Sequence, residues 1–153
     1  TNSSTNQQNA AIAVRQAACY GLGVYATNTP PAAFIPFIEK SIKILIQSAD
    51  IPKGNESEKN YGNCKDNAVS SFGKIIKYHG ASCDPKPCLL AWLNYLPLKY
   101  DQGEALIQHE LLTDILNNSM NLLLQGETQE SANVLLKILQ IFGDIIQTKV
   151  LIK

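Results

Sequence analysis

Carboxylate and histidine side chains at helical spacing are the first candidates for chemistry in this sequence. Glu110 and Asp114 are one helical turn apart, and paired carboxylates at that distance can act as general acid and general base. Helical spacing alone produces many such pairs, so a plain polar surface is the favoured interpretation. His109 precedes Glu110 on the same predicted helix, and we expect a solvated surface histidine there. No catalytic residue is predicted.

The four cysteines and two histidines lack the spacing of a metal site. No C-x-x-C pair occurs, and Pro85 and Pro87 lie between Cys83 and Cys88. Zinc sites need clustered ligands at short, regular spacing, so we predict no metal ion. Buried reduced thiols, as in a cytosolic or nuclear protein, are the favoured interpretation. A disulfide between Cys83 and Cys88 is the open alternative.

The remaining motifs and the overall charge argue against several function classes. "GLGVYA" carries only part of a dinucleotide-binding fingerprint and lies within a helical pattern, and the sequence has no P-loop and no G-x-S-x-G elbow. We therefore expect a non-enzyme without cofactors. The formal net charge is +0 and the sequence pI is about 6.6, which argues against nucleic acid as a partner. No window of about 18 apolar residues occurs, so no membrane partner is expected.

Apolar residues recur at helical spacing along the chain, and no stretch alternates like a strand. Proline and glycine separate the helical segments, as at Pro97 and Gly80. Asp101 and Glu104 have the spacing of a capping box that opens a helix. The pattern predicts an all-α protein. The predicted helices are Ala10–Ala26, Phe34–Ser48, Cys64–Tyr78, Cys88–Leu96, Gly103–Asn117 and Gln129–Thr148, with a short apolar piece at Met120–Leu124.

Polar segments divide the chain into three parts. Residues 1–9, "TNSSTNQQN", are predicted to be a disordered lead-in. Residues 10–149 are predicted to hold about three helix pairs that are incomplete at both ends, and residues 150–153 are predicted to form a tail. A polar loop is predicted between Asp50 and Asn63. Such helices pack either as a closed bundle or as a stacked solenoid. Because a solenoid usually ends in capping repeats with a polar outer face, the second alternative predicts a segment of a longer solenoid.

Two stretches of the sequence match each other at an offset of roughly 50 residues. "RQAACYGLGVYA" begins at Arg15 and "KDNAVSSFGKII" begins at Lys65, which aligns Gly23 with Gly73. An interior glycine costs about 1 kcal/mol relative to alanine. We expect Gly21, Gly23 and Gly73 to mark positions where packed helices approach closely, which offsets that cost.

The matched helices, and above all "WLNYLPLKYDQGEA" from Trp92 to Ala105, resemble importin-β-type nuclear transport receptors, most of all the importin beta-3 branch. The similarity covers roughly residues 10–146. It implies a HEAT-repeat α-solenoid, a right-handed superhelical stack of antiparallel helix pairs. It also implies a protein that shuttles between cytoplasm and nucleus with protein cargo on its concave side. Ran-GTP and Phe-Gly nucleoporins would be partners of the full-length parent. This segment is neutral where the family is usually acidic, and it matches weakly after Asn117.

Several residues are candidates for partner binding. The first candidate is a row of polar side chains on the concave side, called the polar ladder, which would hydrogen-bond an extended cargo chain. The alternative is that these residues are only solvated at helix ends. On the convex side, apolar slots between helices would take a nucleoporin phenylalanine, although a tryptophan at helical spacing is more often core. A HEAT-repeat scaffold for a phosphatase or kinase is the alternative function. The ladder consists of Arg15, Lys65, Asp66 and Asn67, and the slot candidates are Phe34, Phe37 and Trp92.

Overall fold

The computed structural model describes residues 2–55, 57–124, 126 and 128–148. Within these residues every regular element is helical, so the predicted all-α class is confirmed. None of these helices is long and apolar enough to cross a membrane. The helices are α1 (Asn2–Asn28), α2 (Pro31–Phe34), α3 (Ile38–Asp50), α4 (Glu58–His79), α5 (Pro85–Leu93), α6 (Gln102–Leu123) and α7 (Thr128–Thr148), with 3-10 turns at Ile35–Phe37 and Gly80–Ser82.

Two helices begin six or more residues earlier than the sequence predicted. α1 extends back to Asn2, through most of the polar lead-in, because adding residues to an existing helix is far cheaper than nucleating one. α4 begins at Glu58, inside the predicted polar loop. There the Ser57 side chain caps the helix and accepts a hydrogen bond from the Asn60 N–H at 3.1 Å. Thr1 and the predicted tail at residues 150–153 lie outside the described residues.

The ends of α5 and α6 follow local signals in the sequence. α5 stops at Leu93, three residues before the predicted end at Leu96, because Pro97 has no N–H to donate to the Leu93 carbonyl and its ring would clash with that carbonyl in a continued helix. Asp101 caps α6 as predicted, since its carboxylate accepts the Glu104 N–H at 3.2 Å. The predicted break after Asn117 is a kink at Ser119, where φ is −137° and ψ is 16°, and the helix continues to Leu123.

α1, α4 and α6 lie side by side and run parallel. Between α1 and α4, the hydrogen-bonded pairs Arg15–Cys64 and Ser71–Cys19 advance in the same direction along both helices. Between α4 and α6, Asn67 bonds Asp101 and Ser70 bonds Gln108, again in the same order. We call this arrangement the helix row.

The other helices pack against the helix row and against one another. Phe34, the last residue of α2 and one turn before the start of α3, stacks on His79 at the end of α4, with ring centroids 4.3 Å apart. At the other end of α3, Asp50 accepts a hydrogen bond from Tyr95, and the Tyr95 ring lies 6.0 Å from Lys65 Nζ near the start of α4. α3 is therefore antiparallel to α4. α5 contacts α4 and α6, and α7 contacts α5. The largest core side chains are Phe34, Leu45, Phe72, Ile75, Trp92, Leu112 and Ile141.

Two of the three glycines singled out in the sequence lie at close helix crossings. A Cβ on Gly23 would lie 3.1 Å from the Ser71 Cα, so α1 and α4 meet there. A Cβ on Gly73 would lie 2.9 Å from Trp92 Nε1 and would overlap the Gln108 side chain. The close-approach prediction is confirmed at both positions. It is wrong at Gly21, where no neighbouring atom of the described residues lies within 4 Å.

Candidate protein-binding face

Asp66 holds the start of α6 against α4. Its Oδ2 accepts backbone N–H groups from Lys99 at 3.0 Å, Tyr100 at 2.6 Å and Asp101 at 2.9 Å. Burial raises the pKa of the Asp66 carboxyl, and the same N–H donors partly oppose that shift because they favour the charged form. Asp66 thus fixes the connection between α5 and α6 at a defined place on α4.

Asn67 continues this attachment. Its side-chain amide donates to Oδ2 of Asp101 at 2.8 Å, while Oδ1 of Asp101 caps α6 through the Glu104 N–H. One carboxylate therefore serves both as helix cap and as a link to α4. Nearby, the Tyr100 hydroxyl donates to Glu58 at 2.6 Å, which raises the pKa of that phenol. A Cβ on Gly62 would overlap the Tyr100 ring, so only glycine leaves room for it.

Lys74 connects all three helices of the row. Its ammonium group lies 2.8 Å from Oε2 of Glu104 on α6 and 5.3 Å from the ring centroid of Tyr20 on α1. Ser70 also donates a hydrogen bond to Glu104 Oε2. A cation–π contact and a charge-assisted hydrogen bond from one ammonium group thus tie α1 and α6 to α4.

Exposed side chains surround Lys74 on the same side of the helix row. Tyr20 is 48% exposed, and Val24 follows it one turn later on α1. Tyr78 follows Lys74 by one turn on α4 and is also exposed. We name this surface the row face and define it as the exposed Tyr20, Val24 and Tyr78 together with Lys74 and Glu104, which are mostly buried between the helices.

The predicted polar ladder is only partly at the surface. Asp66 and Asn67 are buried and hydrogen-bonded within the chain, so they hold α6 in place instead of meeting a cargo. Arg15 and Lys65 are half-buried. The Arg15 Nε donates to Cys64 Sγ at 3.2 Å, and Lys65 lies over Tyr95. The sequence placed these residues at helix starts, but α4 begins further upstream, so Asp66 and Asn67 lie within the helix, on the side that contacts the start of α6.

The predicted nucleoporin slot is not formed by its three named residues. Phe34 and Trp92 are fully buried core residues, and Phe37 is 49% exposed. The alternative that Trp92 packs in the core is confirmed. A cavity of about 430 Å³ does open between α3 and the start of α5, next to this region. It is lined by Ile35, Ile38, Glu39, Ile42, Ser82, Cys83, Asp84 and Cys88.

Both histidines are buried, in contrast to the prediction of a surface position for His109. Neither ring nitrogen of His109 has a hydrogen-bond partner among the described residues. Burial lowers the pKa of His109 because it disfavours the charged ring. His79 lies 2.6 Å from the Ala26 carbonyl oxygen through Nε2, which joins the ends of α1 and α4.

The cysteines and the Glu110–Asp114 pair do not form a reactive or metal-binding cluster among the described residues. Cys83 and Cys88 are free thiols. Burial and the neighbouring Cys83 raise the pKa of Cys88 to about 12, which disfavours a reactive thiolate. Within the described part of the chain, no three Cys, His, Asp or Glu side chains cluster as metal ligands. Glu110 and Asp114 lie on the exposed side of α6.

No protein-family model matches this chain. The row face, the cavity between α3 and α5, and the apolar surfaces of the outer helices are therefore the features from which function is argued. Tyr20 and Tyr78 were not singled out from the sequence. The sequence could have indicated them only as aromatic residues that lie one helical turn from a small or polar residue on each matched helix. That pattern is too common in helical proteins to single out a binding surface.

Proposed function

We propose that the chain is a HEAT-type solenoid segment of a nuclear import receptor and that it binds partner proteins on the row face. The single observation that carries this proposal is the parallel order of α1, α4 and α6, with antiparallel α3 behind them. Stacked helix pairs of this kind produce an extended surface to which each repeat contributes one helix. The resemblance of Trp92–Ala105 to nuclear transport receptors favours transport among the functions of such stacks.

The chemistry of the row face suits a protein chain as partner. Tyr20, Val24 and Tyr78 offer apolar area with phenol hydrogen bonds, and tyrosines are enriched where proteins bind one another. Lys74 and Glu104 neutralise each other, whereas the exposed Lys77 lies 5.8 Å from the Tyr78 ring and adds a positive charge at the edge of the face. A cargo segment with exposed apolar side chains and an acidic residue beside them is therefore preferred. Ran-GTP remains a proposed partner of the full-length parent.

The cavity between α3 and α5 is the proposed seat for a nucleoporin phenylalanine. Ile35, Ile38 and Ile42 give it an apolar wall, and Ile35 is half-exposed at its edge. This replaces the slot predicted from Phe34, Phe37 and Trp92, because two of those side chains fill the core. A ring entering the cavity would bury its apolar surface against isoleucine side chains.

Binding of a fluorescent Phe-Gly repeat peptide tests the transport proposal. Ile35→Asp should weaken binding at least fivefold, because a carboxylate would have to be buried beside the ring. Ile107→Asp, at a similarly exposed isoleucine on α6, is the matched control and should leave binding unchanged. Absence of peptide binding by the wild-type chain and by a longer parent would contradict the transport proposal.

A scaffold for a phosphatase or kinase is the second candidate, because the row face would serve it equally well. Photo-crosslinking from p-benzoylphenylalanine at position 20 in cells separates the two functions. Transport predicts imported proteins among the products, whereas the scaffold predicts a phosphatase or kinase catalytic subunit. The same probe at Tyr100, exposed but outside the row face, is the control.

A further inference from the structure

α4 and α6 are joined near the start of α6 and enclose a cavity further along. Asn67 bonds Asp101 across the two helices. Lys74 lies 2.8 Å from Glu104, one helical turn further on. Beyond these contacts a cavity of about 320 Å³ opens between α4 and the second half of α6, with the start of α5 as its third wall. We call this cavity the α4–α6 cleft.

The inside of the α4–α6 cleft is apolar. Leu89 of α5 and both Leu111 and Ile115 of α6 line it and are buried. Ile76 lines it from α4 and is half-buried. The volume is near the lower limit of ligand pockets, which measure about 300–1,000 Å³. The cleft therefore suits one large apolar side chain, and burial of that side chain would supply most of the binding free energy.

The rim of the α4–α6 cleft carries opposite charges on its two long walls. Lys77 lies on α4 and Asp114 lies on α6, and both side chains are exposed. In the described structure no ion pair joins them to each other. Charges that flank an apolar anchor select the partner by complementarity. An acidic side chain is therefore favoured beside Lys77, and a basic one is favoured beside Asp114.

The α4–α6 cleft lies in the interior of the helix order and adjoins the row face. α4, α5 and α6 each have helices of the described chain before and after them. Helix pairs stacked beyond α1 or beyond α7 would lengthen the helix row without filling the cleft. Lys77 Nζ lies 5.8 Å from the ring centroid of Tyr78, so the rim of the cleft is continuous with the row face.

We propose that the α4–α6 cleft binds one large apolar side chain of a partner protein. In that protein the anchor is flanked by an acidic residue that pairs with Lys77 and by a basic residue that pairs with Asp114. This inference rests on the proposed function, because it names the anchor of a partner that binds the row face. A segment that carries both charges is preferred over one that carries either charge alone.

A random peptide library displayed on phage tests the proposal with the 153-residue chain. Peptides are selected on the wild type after removal of those that bind Lys77→Glu. The remaining peptides should share a large apolar residue flanked by an acidic and a basic residue. Alanine in place of that apolar residue should weaken binding about tenfold. Lysine in place of the acidic residue should weaken binding about fivefold, and Lys77→Glu should then restore it. Asp114→Lys should likewise restore binding of a peptide whose basic residue is replaced by glutamate.

Matched controls reverse a charge at exposed positions outside the cleft. Glu110→Lys, one turn before Asp114, and Lys43→Glu on α3 should leave peptide binding unchanged. Circular dichroism checks that each variant is folded. If Lys77→Glu is not, Lys77→Ala should abolish the preference for an acidic residue.

Two results would overturn the proposal: no peptide remains after the removal step, or either charge reversal fails to restore binding. A third result separates this proposal from the proposed function. Peptides that lose affinity for Tyr20→Ala, yet bind Lys77→Glu as they bind the wild type, would exclude the cleft and leave the row face as the binding surface.

Discussion

Lys74 Nζ lies 2.8 Å from Oε2 of Glu104, so an ion pair joins α4 to α6 at the centre of the row face. The two side chains retain 12% and 10% of their accessible surface, which leaves little water to screen them. The ring of Tyr20 on α1 contacts the same Lys74 ammonium group. The same pair thus contributes to packing of the row and shapes the surface that is proposed to bind partners.

A double-mutant cycle on this pair should show clear coupling. Lys74→Ala and Glu104→Gln should each lower the free energy of unfolding by about 2 kcal/mol, because each leaves a mostly buried partner without its counter-charge. The double variant should cost less than the sum of the two, by roughly 1 kcal/mol or more. Urea unfolding measures all four proteins, and strict additivity would contradict the proposed coupling.

The glycines of the matched helices should respond oppositely to alanine. Gly73→Ala places a methyl group against Gln108 and the Trp92 ring nitrogen, and overpacking of that kind costs about 2 kcal/mol. Gly21→Ala meets no neighbouring atom of the described residues within 4 Å. It should therefore add about 0.5–1 kcal/mol through better helix propensity. Thermal unfolding at low protein concentration measures both changes in the monomer. Equal changes in stability for the two substitutions would contradict the difference in packing between the crowded Gly73 and the open Gly21.

His109 should make the protein less stable in mild acid. Burial lowers its folded-state pKa below the unfolded value of about 6.5, so the folded chain holds the neutral ring. The stability linked to this ring is complete above pH ~6.5 and is lost as pH falls toward the lower folded-state pKa. Between about pH 7.5 and 5.5, a window that spans the unfolded pKa, His109→Leu should therefore lose less stability than the wild type. Urea unfolding at each pH measures the difference.

Asp66 titrates with the opposite sign, because burial raises its pKa. The stability that Asp66 contributes by binding its proton more tightly in the folded chain is lost as pH rises through its folded-state pKa. The comparison of His109→Leu with the wild type at each pH cancels this contribution, since Asp66 is present in both proteins. Identical pH dependence of the two proteins would show that His109 is not the group responsible.

Much of the fold could be predicted from local sequence. The apolar spacing indicated the class and most helices, Asp101 was recognised as a cap, and Gly23 and Gly73 were recognised as crossings. The start of α4 was missed because "NESEKN" is polar throughout, although Ser57 is a good N-cap. Local pattern thus finds helices best where one face is apolar.

The site residues were harder to predict because their environment comes from distant parts of the chain. The donors to Asp66 come from the backbone of residues 99–101, which no side-chain pattern reveals. His109 lies beside the exposed Glu110, yet the helix turns its ring inward. Phe34 and Trp92 were proposed at the surface, but contacts with α4, at His79 and Gly73, bury them, whereas Phe37, as large as Phe34, stays exposed.

The parallel contact of α1 with α4 is the claim on which the row face depends, and an engineered disulfide tests it most directly. A Cβ on Gly23 would lie 3.0 Å from the Ser71 Cβ, below the roughly 3.5–4.5 Å of a disulfide, so α1 and α4 must move apart slightly to accommodate one. We predict that Gly23→Cys combined with Ser71→Cys forms this bond in air, seen as an intact linked peptide by mass spectrometry. Gly21→Cys with Ser71→Cys should not form it. Absence of the link between positions 23 and 71 in the folded protein, or equal linkage in both variants, would contradict the helix row.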